Sequence, residues 1–201
     1  MEINSFTDAS IFEYLLVIRP HESLQERILH IRKEFHEQFL TDQPLLSTPQ
    51  IGLVRFEQYE QLQEKWMRRV HLFSMGASPF KIELRDFCST PTHTISFNIA
   101  TKIPIQDFIR SIRTEAQQLL KRDEDHTPHF LLEPHIPVAQ KLLPWQFEKG
   151  WMYMQHQNFN ASFIAEHLLV LRRKKGSRSF FPLQQFKLMN LVSSRQGNLF
   201  M

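Results

Sequence analysis

Two stretches of the sequence share a pattern that decides the fold: PQIGLVRF at residues 49–56 and PHIPVAQK at residues 134–141. Each begins with proline and a polar residue, and an isoleucine follows. Positions 50 and 135 lie 85 residues apart, and a Leu-Leu pair precedes each stretch. Each has the length and apolar content of a strand, and the patterns of a helix and then a hairpin come after it. A strand–helix–hairpin unit is therefore expected to occur twice.

The segments around these stretches predict four helices and several further strands. Residues 22–39 carry apolar side chains at spacings of 3 or 4, which places them on one face of a helix. Patterns of the same kind predict helices over residues 57–73, 104–120 and 144–157. Strands are expected over residues 12–18, 51–56, 80–87, 93–100, 130–140, 163–172 and 179–189.

Two pairs of these strands are close neighbours in the chain. Residues 80–87 and 93–100 are separated by a short polar segment, and residues 163–172 and 179–189 by a segment that contains Gly176. Such pairs are typical of antiparallel hairpins. Because strands outnumber helices and hairpins recur, the predicted class is α+β with mostly antiparallel sheets.

Composition excludes several classes of function. The chain has 201 residues, enough for one compact domain or two small packed lobes, and its formal net charge is only +3. Cys88 is the single cysteine, so no internal disulfide forms, and no Cys/His spacing resembles a zinc site. Neither GxGxxG nor GxxxxGK[ST] occurs. We therefore expect no metal and no cofactor.

The sequence also predicts where the protein resides. The first residues lack the basic region and apolar run of a signal peptide. No apolar stretch approaches the ~20 residues that a membrane-spanning helix needs. A lone cysteine favours a reducing compartment. We expect a cytoplasmic protein without a membrane partner, and the oligomeric state is left open.

The two quoted stretches resemble the motifs of the two-histidine (2H) phosphoesterase superfamily, and in particular its 2′-5′ RNA ligase-like group. In that family each of two pseudo-symmetric lobes carries a strand with the pattern His, any residue, Thr or Ser, usually after a proline. The resemblance implies a bilobal fold with a pseudo-twofold axis, sheets that line a central cleft and helices outside. It covers residues 10–190, so we expect one bilobal domain over residues 1–192 and a tail over residues 193–201.

The intact family motif performs metal-independent acid/base chemistry. Residues i and i+2 of a strand point to the same face, so a His and a hydroxyl side chain reach one cleft together. One imidazole takes a proton from a nucleophile while the other donates a proton to the leaving oxygen, and the hydroxyls bind the phosphoryl oxygens. The resemblance implies RNA ends or small nucleotides with 2′,3′-cyclic phosphates or 2′-5′ linkages as substrates.

This chain departs from the motif at most positions. His135 stands at the second histidine position, but Gln50 replaces the first, and an amide cannot transfer a proton near neutral pH. Gly52 and Pro137 replace the two hydroxyl residues. Losing one acid/base partner typically costs ~10²–10⁴ in rate. The candidate catalytic residues are thus His135 and Gln50, and the candidate substrate-binding residues are Gly52, Pro137 and, on the first strand, Tyr14.

Three interpretations stay open at this point. The first is a non-catalytic or weakly active relative whose cleft binds RNA or a small nucleotide. The second is an active phosphoesterase in which His93, His126 or His129 replaces the missing histidine. The third is an unrelated α+β interaction domain. The basic run at residues 172–178 is expected to be a hairpin tip kept soluble by charge, with RNA-phosphate contact as its functional alternative.

Overall fold

The computed structural model describes residues 10–39, 48–120 and 127–191, without the side chains of residues 117–120. Residues 41–47 of the expected first loop, most of the charged loop at residues 121–128, and the expected tail at residues 193–201 lie outside these ranges. Within the described ranges no helix is long and apolar enough to cross a membrane.

Four α-helices and nine strands make up the described fold. In chain order they are β1 Ile11–Ile18, α1 Glu22–Phe39, β2 Ile51–Tyr59, α2 Gln63–Gly76, β3 Phe80–Thr90, β4 Thr94–Ile99, α3 Lys102–Leu120, β5 His129–Phe130, β6 Ile136–Ala139, α4 Pro144–Met154, β7 Asn160–Ala165, β8 His167–Lys174 and β9 Phe181–Lys187. A single turn of 3₁₀ helix, Glu60–Leu62, joins β2 to α2.

The strands form two antiparallel sheets with matching order. Sheet A runs β5-β2-β1-β8-β9, and sheet B runs β6-β4-β3-β7. Strands β2 and β6 contain the two similar stretches and are called the motif strands. In sheet A, β2 pairs with β1, and in sheet B, β6 pairs with β4; β1 and β4 are the first strands of the two halves of the chain. The strand after that is β8 in sheet A and β3 in sheet B. The α+β class and the bilobal pseudo-twofold relation predicted from the sequence are thereby confirmed.

The helices cover one face of each sheet. A helix from one half of the chain can pack on the sheet that holds the motif strand of the other half. Helix α1 packs against β6 and α4 on the side of sheet B, although it follows β1 of sheet A. Helices α2 and α3 contact each other, and α2 also contacts β9 of sheet A. Gly150 permits the close approach of α4 to α1, because a Cβ there would lie 2.6 Å from Cζ of Phe35. Among the described residues no helix covers the opposite face of each sheet, and this face lines the central cleft.

Strand β1 shows how the two faces are divided. Tyr14, Leu16 and Ile18 belong to the main hydrophobic core under the helices. Val17 belongs to a separate small cluster with Leu169 and Leu171, on the other face of sheet A. Successive side chains of a strand alternate between faces, so the odd-numbered residues of β1 point to this second face, where Glu13 and Val17 are themselves buried. We call this helix-free side the cleft face of sheet A.

Three predicted boundaries are wrong, each for a physical reason. The expected strand over residues 130–140 is two short strands, β5 and β6, in different sheets, and Pro134 lies in the crossing segment. The expected strand over residues 163–172 likewise divides at Glu166 into β7 of sheet B and β8 of sheet A. Helix α2 begins later than expected, because Glu57–Tyr59 still pair with β1.

Candidate functional site

Gln50 immediately precedes β2 and is held by an arginine. Nε and Nη2 of Arg19 both donate to Oε1 of Gln50, at 3.2 and 3.1 Å. Arg19 follows the last residue of β1, and its half-burial lowers the pKa of its guanidinium. The family motif has its first histidine at this position. This chain has an amide there, and the amide oxygen already accepts two hydrogen bonds from a guanidinium group.

Gly52 lies on the cleft face, and a leucine fills the space beside it. Gly52 is opposite Val17 in the β1–β2 ladder. A Cβ added at Gly52 would lie 2.7 Å from Cδ1 of Leu131 and 3.9 Å from Cδ1 of Leu15. The backbone N–H of Leu131 donates to the carbonyl of Leu53 at 2.8 Å, which fixes this approach. A hydroxyl side chain at position 52 would therefore require Leu131 to turn away.

His135 immediately precedes β6 and is exposed. Its Nδ1 lies 2.9 Å from the carbonyl oxygen of Glu133. A carbonyl oxygen accepts, so this contact assigns the proton to Nδ1 and leaves the lone pair of Nε2 free. In this tautomer Nε2 can accept a proton or a hydrogen bond from a ligand in the cleft.

Pro137 stands two residues later, at the position of the second motif hydroxyl, and has no hydroxyl group. It is half-buried and lies opposite Ser96 on β4. Its carbonyl oxygen accepts a hydrogen bond from Nε of Arg32 at 2.8 Å, and burial lowers the pKa of Arg32 to about 10. This contact ties the second motif strand to α1.

A short segment of chain leads from β5, which pairs with the first motif strand, to the second motif strand. Leu131 lies against Gly52 of the first motif, and His135 of the second motif follows only four residues later. Four residues of extended chain span at most ~14 Å. His135 therefore begins its strand close to the first motif.

Tyr14 is not available to a ligand in this structure, and its expected substrate-binding role is wrong. Its side chain is 0% exposed, stacks on Phe56 and meets Trp66 edge-on in the helix-side core. Its hydroxyl donates to Oε1 of Gln63, and burial raises its pKa to about 12. The alternation of side chains along β1 explains the error, because Tyr14 lies on the helix side and points away from the cleft face.

Neither of the two described substitute histidines takes the place of Gln50. His93 lies in the turn between β3 and β4, where its ring packs 5.1 Å from that of Phe147. His129 does share the cleft face, because it pairs with Arg55. Arg55 is five residues from Gln50, or ~16 Å along a strand, which is beyond hydrogen-bond reach of a phosphate at the motif. His126 lies outside the described residues.

The basic run at residues 172–178 is largely paired with acidic side chains. Arg172 binds Glu60, at 3.2 Å, and Arg173 binds Glu13, at 2.6 Å. Lys175 binds Glu57 at 2.7 Å. Three of its cations are thus engaged within the lobe, which favours the interpretation as a structural hairpin over that of an open RNA-binding patch.

The chain matches a known family. The family model described as 2'-5' RNA ligase superfamily matches residues 20–177, and the chain belongs to that family. This excludes the interpretation as an unrelated interaction domain. A search of curated proteins found no match.

Solved structures share the fold at low sequence identity. LigT of E. coli complexed with NADP+ is similar with a TM-score of 0.61 and 13% identity, over 89% of this chain and 99% of that chain. LigT complexed with 3'-AMP gives 0.59 and 12%, over 89% and 98%. The protein TT0787 of Thermus thermophilus gives 0.59 and 12%, over 88% and 98%. These likenesses show the fold alone.

Proposed function

We propose that this protein binds a nucleotide phosphate in its central cleft and does not catalyse phosphodiester hydrolysis by the two-histidine mechanism. The observation that carries the proposal is the state of the first motif, where Arg19 holds the amide of Gln50 and Leu131 lies against Gly52. The second motif keeps an exposed His135 with an oriented ring. One motif thus retains a ligand group, and the other has lost its proton-transfer group.

The loss of chemistry follows from the properties of the amide. A two-histidine mechanism needs one group to accept a proton and a second to donate one. Gln50 does neither near neutral pH, and its oxygen accepts from Arg19. His135 alone would have to serve both steps, and no hydroxyl at position 52 or 137 would stabilise the developing charge on the phosphoryl oxygens.

The capacity to bind a phosphate remains, because the motif end of the cleft is cationic. Arg19 uses Nε and Nη2 for Gln50, and a planar guanidinium has further donors at Nη1. His135 presents Nε2, which donates when the ring is protonated. Solved relatives of this fold were crystallised with phosphate, 3'-AMP, ATP and NADP+, so small nucleotides are the reasonable first ligands to test.

Calorimetric titration of the whole protein with 3′-AMP tests the binding half of the proposal. We expect saturable binding that Arg19→Gln and His135→Gln each weaken by at least ~5-fold, since a hydrogen bond to a charged group is worth ~1.5–3 kcal/mol. His156→Gln is the matched control, because His156 is an exposed histidine at the end of α4. Equal affinity in wild type and both variants, or no binding by the wild type, would contradict the proposal.

A further inference from the structure

One edge of sheet B, the one opposite the motif strand β6, lacks the features that protect an edge strand from pairing. The described sheets have four edge strands, β5 and β9 in sheet A and β6 and β7 in sheet B. Strand β5 has only two residues, β6 contains Pro137, and β9 contains Pro182 and ends at Lys187. Short length, proline and charge all hinder the addition of a strand. Strand β7, NASFIA, has six residues without proline or charge, so this edge can accept another strand.

The backbone of β7 directs hydrogen-bonding groups outward at this edge. In the neighbouring strand β3, the carbonyl of Glu83 accepts from the N–H of Ala100, and its N–H donates to Oγ1 of Thr101, both at 2.9 Å. Both groups of Glu83 are thus used on the side away from β7. Ser162 lies opposite Glu83, and bonded and non-bonded pairs alternate along an antiparallel ladder. The residues of β7 whose N–H and C=O point away from β3 are therefore Asn160, Ser162 and Ile164.

These outward residues are accessible, while the strand itself is fixed to the core. All three are exposed, and the side chain of Ile164 is 49% exposed although it is apolar. Phe163, which alternates with them, is buried in the main core. Within the described ranges, one hydrogen bond reaches the outer side of Asn160, Ser162 and Ile164, a long contact of 3.5 Å from Nη2 of Arg27 to the carbonyl of Asn160. The N–H and C=O of the other two residues are open to a new strand.

The edge is complementary to a second copy of itself. Its three outward residues are uncharged, so they fit an added strand that is also uncharged, and β7 of another molecule has that composition. Two copies of one strand pair antiparallel about a twofold axis and thereby use up both edges. An axis at Ser162 sets Ser162 opposite its own copy and Asn160 opposite Ile164 of the second copy, so every outward residue is in the ladder. We propose that β7 pairs in this way, which joins two four-stranded sheets into one sheet of eight strands.

The charged neighbours of the edge do not oppose this pairing. Lys81, Glu83 and Arg85 of β3 lie opposite the three outward residues of β7, one strand away from the edge. Within β3, Lys81 binds Glu83 at 2.7 Å. In the eight-stranded sheet the two β3 strands are three strand spacings apart, or ~14 Å. This distance exceeds the ~8 Å over which exposed charges interact at physiological ionic strength.

Sedimentation velocity of the whole protein at about 100 μM tests the pairing, since micromolar interfaces are mostly occupied at this concentration. We expect a dimer that dissociates on dilution. Ser162→Pro removes one outward N–H and leaves the hydrogen bonds to β3 in place, so this variant should be a folded monomer. Ser162→Ala keeps that N–H and should dimerise like wild type. A monomeric wild type, or an assembly larger than a dimer, would overturn the proposal.

A charge at the edge tests the same surface without a proline. Ile164→Lys should weaken dimerisation at least ~10-fold, because the interface would then hold an unpaired charge. Gln184→Lys places the same charge on β9, an edge of sheet A, and should leave the dimer unchanged. Circular dichroism establishes that each variant is folded. An unchanged dimer in Ile164→Lys, or an equal loss in Gln184→Lys, would overturn the proposal.

Single cysteines test the register of the two strands. In a Cys88→Ala background, Ser162→Cys places two cysteines opposite each other with Cα atoms ~5.5 Å apart, which a disulfide can span. Ile164→Cys places its two cysteines four residues apart along the ladder, or ~14 Å, which is too far. We expect mild oxidation to give a covalent dimer with Ser162→Cys and none with Ile164→Cys. Any other pattern would overturn the pairing centred on Ser162.

Discussion

The two motif strands differ in what surrounds the position where a histidine belongs. At the first motif, Gln50 is held by Arg19, and Leu131 closes the space at Gly52. At the second, His135 is exposed and anchored only through Nδ1 to a backbone carbonyl. At the first motif, therefore, both motif residues differ from the family pattern and neighbouring side chains contact the replacements. At the second motif only the hydroxyl residue is missing. The first motif cannot be restored by changing its own residues alone.

The largest effect is expected from the repair of both motifs. The variant Gln50→His, Gly52→Thr, Leu131→Ala, Pro137→Thr restores both histidines and both hydroxyls and removes the side chain that would collide at position 52. We expect its hydrolysis of 2′,3′-cyclic AMP to exceed that of wild type by ~10² or more.

The same variant without Leu131→Ala is the control that isolates the neighbour. Because Cδ1 of Leu131 lies where a side chain at position 52 must begin, this control should gain less activity. Equal activity with and without the Leu131 change, in folded proteins, would show that Leu131 does not obstruct the first motif.

The next largest effect concerns the buried carboxylate of sheet A. Glu13→Gln leaves Arg55 and Arg173 without the negative charge of their shared carboxylate and should lower the free energy of unfolding by ~3 kcal/mol, the low end for a broken buried ion pair. Chemical denaturation measures this. On sheet B, Glu83→Gln removes a more exposed carboxylate from Lys81 and Arg85 and should change stability far less.

The pH dependence of that difference has a defined sign. The pKa of Glu13 is lowered in the folded protein, so its contribution to stability is present above the unfolded value, near 4.3, and is lost as the pH falls through the folded pKa. Wild type should therefore lose more stability than Glu13→Gln between neutral and acidic pH. Parallel acid profiles for the two proteins would contradict the role given to Glu13.

The smallest effect is expected at Tyr14. Tyr14→Phe removes the hydroxyl that binds Gln63 and should cost ~1 kcal/mol of stability, with the affinity for 3′-AMP unchanged. Denaturation and calorimetric titration of the same preparation check both parts. A loss of nucleotide affinity at unchanged stability would show that Tyr14 contributes to the ligand site.

The sequence predicted the architecture well, because the architecture depends on patterns that are local. The repeated strand–helix–hairpin unit and the bounds of α1 follow from apolar spacing and proline positions. The division of two predicted strands between the sheets is not predicted, since apolar segments that follow each other closely, as in β7 and β8, do not reveal that they enter different sheets.

The site was predicted only at the motif positions themselves. In FEYLLVI both faces of β1 are apolar, so the pattern does not tell which face meets the cleft; the parity of Glu13 was the one available signal. In the sequence, Arg19 and Pro20 indicate only where the first strand ends. Its contact with Gln50, and that of Leu131 with Gly52, depend on strand register and on β5, which single residues do not encode.

Turnover of 2′,3′-cyclic AMP by the wild-type protein, followed by ³¹P NMR beside His135→Ala, tests most directly whether the altered first motif has ended catalysis. We expect both proteins to leave the cyclic phosphate intact under conditions where wild type binds 3′-AMP. Ring opening by wild type that His135→Ala abolishes would contradict it.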